Sequence, residues 1–355
     1  MLYVHLHMQI TAQLIAELIG GEIVGNGEEV ISGPATIENA GPGHITFLGN
    51  PKYESFIYKT NASVVLVDKN FVPKEPLDKV LIKVKDVYTA LSTLVAKFSN
   101  SMSIAPIVSS LASVHPSVTI GEHVSIDDFS IIKPNVKIGN SVKIYGQVFI
   151  GDGVTIGNNT VIYPGVKIYH NCSIGDHCII HSNVVIGSDG FGFVKTENGV
   201  YSKIEHVGSV VVEDNVEIGA NTVIDRAVMA QTIIRKGAKL DNLIQIAHNV
   251  EIGQNTVIAA QTGIAGSSKI GDSCVVGGQV GVAGHVKIAD EVMIQAQSGI
   301  SSTIEKKGSK WYGSPALDYT NYLKSYAYFK QLPEWAKQIK ILKDTLSSLN
   351  NKVDL

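Results

Sequence analysis

The chain carries a branched aliphatic residue at every sixth position over most of its length. From Val114 every sixth residue is Val or Ile through Ile186. The beat resumes at Val212, Ile218 and Ile224, slips by four residues around Met229, and then runs from Ile234 to Ile300. A period of six fits neither an amphipathic helix nor a half-buried alternating strand. Sustained this long, it marks a parallel β-helix. Three hexapeptides make one triangular coil of 18 residues. The beat residue points inward, and coils stack at the spacing of paired strands, about 4.8 Å. Four positions after the beat sits a small or branched residue, as at Val118, Ser130, Thr160 and Thr256, which fits beside a corner. Gly often follows the beat, as at Gly121, Gly139, Gly151, Gly157 and Gly253, and is read as relief for the turn.

The beat is interrupted at Ser188–Ser209, a Gly-rich aromatic stretch that must loop out of the coil. Long loops in compact repeats are usually functional. Phe191, Phe193 and Tyr201 are expected to line a pocket shared with a neighbouring subunit. A smaller excursion covers Ala227–Thr232.

Residues 1–105 lack the beat and read as a small α/β domain. Thr11 caps a helix over Ala12–Gly20 with Leu14, Ile15, Leu18 and Ile19 on its apolar face. Strands are expected at Glu22–Val24, Ile45–Leu48, Val64–Val67 and Val80–Lys85, and a second helix at Val87–Phe98. After the array (residues 106–305), residues 306–355 read as a helical tail behind a linker at Lys310–Pro315. A helix over Asp318–Gln331 is expected to break at Pro333. Trp335, Ile339, Leu342, Leu346, Leu349 and Val353 then form a heptad seam, which implies helix contact within or between subunits. Lys324, Lys330, Lys337, Lys340 and Lys343 make this end basic, either as a solvated face or as a docking surface for an acidic partner.

The 355 residues carry a net charge of −3, which gives no reason to expect a nucleic-acid partner. No apolar run approaches the length of a membrane span. MLYVHLHM lacks the basic and apolar regions of a signal peptide, and Met8 is an alternative start. Cys172, Cys178 and Cys274 show no paired spacing and all fall in the small-residue slot. They read as buried packing thiols, and the cytoplasm is the simplest compartment.

A regular coil turns sequence separation into position. Gly266 lies 18 residues after His248 and Gly284 lies 36 after it, with His285 adjacent. One column therefore reads His248, Gly266, Gly284/His285: an imidazole below bare backbone, with a second imidazole about 10 Å, two strand spacings, away. The chemistry this suggests is acyl transfer, with His248 taking the nucleophile's proton and the Gly266 N–H steadying a tetrahedral oxygen. An imidazole titrates near neutral pH, which suits the base. His115, His123, His170, His177 and His181 occupy polar slots of the early coils and read as surface residues. No nucleophile elbow supports a serine or cysteine triad. Trimeric β-helices of the γ-type carbonic anhydrase family bind zinc through interface histidines. Here the position five residues after His285 is Asp290, so no metal is expected. The loop and the appended regions count against a purely structural solenoid. Asp241 lies on a different face of the coil from His248.

In the first domain, Gly43–Tyr53 reads GHITFLGNPKY, a strand running into a Gly-Asn-Pro turn. Phe47 and Tyr53 are either core aromatics or, with Asn50, the walls of a site for a flat heterocycle.

DNLIQIAHNVEIG (Asp241–Gly253), GIAGS (Gly263–Ser267) and AGHVKIAD (Ala283–Asp290) together resemble the UDP-3-O-(3-hydroxyacyl)glucosamine N-acyltransferases of bacterial lipid A biosynthesis. The likeness extends over Gln9–Leu355. It implies a mainly β fold: a left-handed hexapeptide β-helix with an N-terminal uridine-binding α/β domain and C-terminal helices. It further implies His248 as general base, the Gly266 N–H as oxyanion donor, His285 as a substrate-positioning residue, and Phe47 and Tyr53 sandwiching uracil beside Asn50. The resemblance carries a homotrimer with sites between subunits, a UDP-sugar acceptor, no resident cofactor, and a (3R)-3-hydroxyacyl donor on the phosphopantetheine of acyl carrier protein. The basic tail suits that acidic donor. Some relatives carry bulky or basic residues just after the last coils, where this chain has Gly299–Ser302. The neighbouring family in this respect is the O-acyltransferase of the preceding step, which shares the β-helix but is expected to lack residues like 1–105.

Overall fold

The structure, a computed structural model, describes residues 10–99, 106–314 and 318–353. Contacts divide the chain into two units, Met1–Ile104 and Ala105–Leu355. Met8, Pro315 and the side chains of Leu349 and Val353 lie outside the described residues.

The first unit is built on a five-stranded sheet in the order Glu22–Val24, Val80–Val84, Val64–Asp68, His44–Leu48, Gly33–Pro34. Only the first pair is antiparallel. Val64, Val65, Leu66 and Val67 are all buried, so this central strand is covered on both faces. The helix Ala12–Ile19 is capped by the Thr11 hydroxyl, which accepts the Leu14 N–H, and ends at Gly20 with φ +64°. Its buried face is Ala12, Ile15 and Ala16, while Leu14 and Leu18 are exposed. The expected apolar face is therefore rotated. The small alanines let the helix lie close to its neighbours, and the larger leucines are turned out.

The second unit is a parallel β-helix. Three sheets of 10, 10 and 9 strands hold the beat residues, which stack in one buried cluster from Val124 to Ile304. Most of its strands are two residues long, as at Ile131–Ile132. Ile131 pairs with Phe149, 18 positions on. Across the long loop Ser173 pairs with Val211, a separation of 38, and across the short excursion Val211 pairs with Ile233, a separation of 22. Both insertions thus leave at corners, and the register recovers. At the far end Lys310–Trp311 pairs with Met293–Ile294.

The corners differ from the expectation. Left-handed backbone falls on the third residue after the beat, at Asn135, Asn159, Asn171, Asn249, Asn255 and their equivalents, with φ between +52° and +61° at these five. Asn tolerates this region better than most residues. Of the glycines directly after the beat only Gly187, where the long loop leaves the coil, has positive φ; Gly121, Gly139, Gly151, Gly157 and Gly253 do not. They are small because the next coil is close: a Cβ on Gly139 would lie 2.7 Å from Asn158 Oδ1 and 2.9 Å from its backbone nitrogen. All three cysteines are buried and unbridged, and burial pushes the Cys178 thiol up to about 11. They pack rather than react.

The tail is one helix, Tyr319–Val353, running through Pro333. The expected break does not occur. A proline removes one backbone bond, and the helix is exposed on every described side chain from Asp318 to Ser347, so water can satisfy the carbonyl left over. Trp335, Ile339, Leu342 and Leu346 are exposed, so the seam has no partner within the described chain. No helix among the described residues is long and apolar enough to cross a membrane.

Candidate active site

The ladder Ile246↔Ile264↔Val282 fixes the column. Two positions past each of these beats come His248, Gly266 and Gly284. The Ser267 N–H donates to His248 O at 2.9 Å and the His285 N–H donates to Gly266 O at 3.0 Å, so adjacent coils are tied at this corner. His285 is exposed, with φ +62°. His248 is half-buried. Its Nδ1 lies 3.2 Å from Asn249 Oδ1. The Asn249 amide is itself fixed: its Nδ2 donates to Met229 O at 2.8 Å and its Oδ1 accepts the Val228 N–H at 3.1 Å. An amide oxygen only accepts, so this network assigns the proton to Nδ1 and leaves Nε2 as the lone-pair nitrogen of the neutral ring. The four-residue excursion thus supports His248.

His248 Nε2 faces bare backbone. A Cβ on Gly266 would lie 2.6 Å from both Cε1 and Nε2 of the imidazole. The Gly266 N–H meets no acceptor among the described residues. An imidazole nitrogen thus lies against the Gly266 residue, whose amide is a free donor; a base and a donor of this kind are what general-base attack on a carbonyl with capture of the oxygen requires.

The structure extends the column downward. Val223↔Gln245 and Ile224↔Ile246 carry Asp225 and Arg226 one coil below Ala247 and His248. Asp225 is buried and accepts from Gln245 Nε2 at 2.9 Å and Ser188 Oγ at 3.2 Å. Burial pushes its carboxyl above the usual range, against the pull of those hydrogen bonds and of His248 and His206. Arg226 is 1% exposed and points the other way. It donates to Gly187 O at 2.7 Å and His170 O at 3.1 Å, and its Nη1 lies 2.6 Å from His170 Nε2. Of the early histidines, His115, His123 and His177 are exposed; His170 and His181 have partners, Arg226 and Glu217. Counting 22 residues back from Ala247 and His248, with the slip included, would have found Asp225 and Arg226.

The long loop forms a hairpin, Phe193–Lys195 against Tyr201–Lys203. Asp189 and Lys203 pair across its base. Phe191, Phe193 and Tyr201 are exposed rather than buried in a pocket of this chain. The loop meets the column through His206, whose ring centroid is 5.6 Å from that of His248, edge to face. No residue pattern signals this contact, because the loop has no register to count from. Asp241 serves elsewhere: its carboxylate accepts from Asn242 N at 2.8 Å and Ala260 N at 3.1 Å, closing a different corner. Among the described residues no group of three or more His, Cys, Asp or Glu side chains gathers around a metal-sized position.

In the first unit, Phe47, Asn50 and Tyr53 line one cleft of about 300 Å³ with Thr36, Glu38 and Tyr88. Phe47 is half-buried, Tyr53 is 48% exposed, and the cleft lies open between them. Asn50 Oδ1 accepts the Lys52 N–H at 3.0 Å, which caps the turn Pro51–Tyr53 and leaves the Nδ2 donors to the cleft. Tyr88 packs edge-on to Phe47 at 6.1 Å. Gly49 admits it, since a Cβ there would lie 2.8 Å from the Tyr88 ring.

Comparison with known proteins gives the family of the chain. Residues 28–97 match the family of UDP-3-O-(3-hydroxymyristoyl) glucosamine N-acyltransferase, LpxD, and residues 114–152 and 153–188 match the bacterial transferase hexapeptide repeat. The chain is 55% identical over 348 residues to a UDP-3-O-acylglucosamine N-acyltransferase of Cytophaga hutchinsonii, covering 97% of this chain and 99% of that one. It is 56% identical over 344 residues to the protein of that name in Christiangramia forsetii, covering 97% and 100%. Among solved structures, an Arabidopsis UDP-N-acetylglucosamine acyltransferase is similar over 58% of this chain and 71% of that one, at 22% identity and TM-score 0.49. Near-complete coverage at more than half identity decides the matter: the chain is an acyltransferase and belongs to the UDP-3-O-acylglucosamine N-acyltransferase family.

Proposed function

We propose that this enzyme transfers a (3R)-3-hydroxyacyl chain from acyl carrier protein to the 2-amine of UDP-3-O-acylglucosamine in lipid A biosynthesis. The observation that carries the reading is the His248 ring held at Nδ1 by Asn249, with Nε2 against the bare Gly266 backbone. The amine attacks the thioester carbonyl while His248 Nε2 takes its proton. The carbonyl oxygen, now negative, is held by the Gly266 N–H. The C–N bond forms, the C–S bond breaks, and His248 returns the proton to the departing thiolate of the carrier's phosphopantetheine. No resident cofactor is needed.

His285, two coils above, positions substrate. Gly263, Gly281 and Gly299 run beside the column, and a Cβ on any of them would meet nothing within 4 Å. The fold does not require glycine there, so this bare strip suits an acyl chain. Uracil lies between Phe47 and Tyr53, with Asn50 Nδ2 donating to a ring carbonyl. The functional unit is a homotrimer in the cytoplasm, with the exposed lysines of the tail helix facing the acidic carrier.

The test is a product assay with UDP-3-O-acylglucosamine and a panel of 3-hydroxyacyl carrier thioesters. Amide formation at the 2-position is expected. If the acyl group goes only to a hydroxyl of UDP-N-acetylglucosamine, the chain performs the O-acyl reaction instead.

A further inference from the structure

His206 is nine-tenths buried, yet half of its polar chemistry is idle. It is 6% exposed. Its Nδ1 lies 2.9 Å from Ile204 O, a carbonyl that only accepts, so Nδ1 carries the proton. In the neutral ring Nε2 is then an acceptor, and it is buried with no hydrogen-bond partner. A buried acceptor without a donor costs about 1–3 kcal/mol, so such groups call for an explanation. This one points toward the reacting column. A Cβ on Gly190 would lie 3.0 Å from His206 Nε2, 3.0 Å from His248 Cβ and 3.1 Å from His248 Cδ2. Gly190 thus keeps a gap between the two imidazoles. Gly192 is needed for the same reason, as its Cβ would lie 2.8 Å from His206 Cε1. The Asp189 and Asp225 carboxylates both act on His206, and neither supplies a donor.

We propose that His206 Nε2 accepts a hydrogen bond from an N–H or O–H of the substrates when they occupy the His248 column, which makes the long loop a functional wall of the site. This rests on the acyl-transfer reading above. Two groups of that reaction carry such a donor beside the reacting carbon: the attacking amine and the 3-hydroxyl of the acyl chain. Either satisfies the orphan acceptor only in the loaded enzyme, so its cost in the free protein favours binding.

The experiment uses the full chain with two substitutions. His206→Leu removes the acceptor and keeps much of the volume, and His206→Gln keeps an acceptor oxygen. Each is assayed with 3-hydroxyacyl and with unsubstituted acyl carrier thioesters, and its unfolding midpoint is compared with the parent protein. His206→Leu is expected to lose about tenfold in kcat/KM, the worth of one hydrogen bond, while His206→Gln keeps most of the rate. A loss confined to the hydroxyacyl donor assigns the bond to the 3-hydroxyl, and an equal loss with both donors assigns it to the amine. Wild-type rates for His206→Leu overturn the proposal. So does a His206→Gln protein as slow as His206→Leu when both remain folded. Should His206→Leu not fold, the 15N resonance of the unprotonated His206 nitrogen in the wild-type protein decides: it must move when substrates bind, and an unmoved resonance overturns the proposal. The acyl-transfer reading fails separately, in the wild-type product assay.

Discussion

Two corners of one solenoid use the same backbone in opposite ways. Past the beats Ile138, Ile156 and Ile252, the corner is sealed. The Asn140 N–H donates to Asn158 Oδ1 at 2.8 Å, Asn158 to Asp176 at 2.6 Å, and Gln254 to Asp272 at 2.7 Å, each 18 residues on. The residue before each donor is glycine, because the next coil leaves no room for a Cβ. Past Ile246, Ile264 and Val282 the equivalent pairs are Ala247-His248, Ala265-Gly266 and Ala283-Gly284. No carboxamide or carboxylate arrives from above, the Gly266 amide is left open, and the place a Gly266 Cβ would take is held by an imidazole. The difference teaches that the proposed catalytic corner is made by subtraction. The scaffold already presents a row of N–H donors, and the site appears where the side chains that normally cover them are withheld.

Exchange between the two corners gives the sharpest tests. At the open corner, His248→Ala should lower kcat by about 10²–10⁴-fold, the usual worth of a positioned base. Its unfolding midpoint should stay near that of the parent, since the side chain's hydrogen bond is to its neighbour Asn249. Near-normal turnover would end the comparison. At the sealed corner, Asp176→Ala exposes the Asn158 N–H and should cost about 1 kcal/mol in urea unfolding, with turnover per folded molecule unchanged. A large fall in kcat there would mean that both corners serve catalysis. The smallest effect lies below the open corner, at Asp225. Burial raises its carboxyl in the folded protein. Its contribution to stability is therefore fully present below the unfolded value and is lost as pH rises through the folded one. Asp225→Asn does not titrate, so its stability relative to the parent should improve from acid to neutral pH. A difference between the two that stays flat with pH would contradict the burial argument.

The array was legible because burial of one residue in six leaves a period that no other fold shares. Column arithmetic then placed His248 beneath Gly266 without any contact being known. Counting failed wherever register failed. His206 lies at the end of a loop of no fixed pitch, and Asp225 is hidden behind a slip of four. Composition misled in the first domain, where hydrophobicity favours Leu14 and Leu18 over the alanines that in fact face inward. At Pro333 the local rule for proline was sound, but an exposed helix can tolerate what a packed one cannot. The aromatic cleft was half visible: Phe47, Asn50 and Tyr53 share one short segment, whereas Tyr88 reaches them only through the fold.

The equal pairing interval has a genetic reading. One coil corresponds to eighteen codons, so gain or loss of a whole coil between Val114 and Ile168 would preserve every inward-facing residue, while one codon more or fewer would turn the following beat outward. Inheritance in such a chain is quantised. Between Val114 and Ile300, departures from that quantum occur at two places, where the separation is 38 or 22 in place of 18, and both deliver residues to the surroundings of His248.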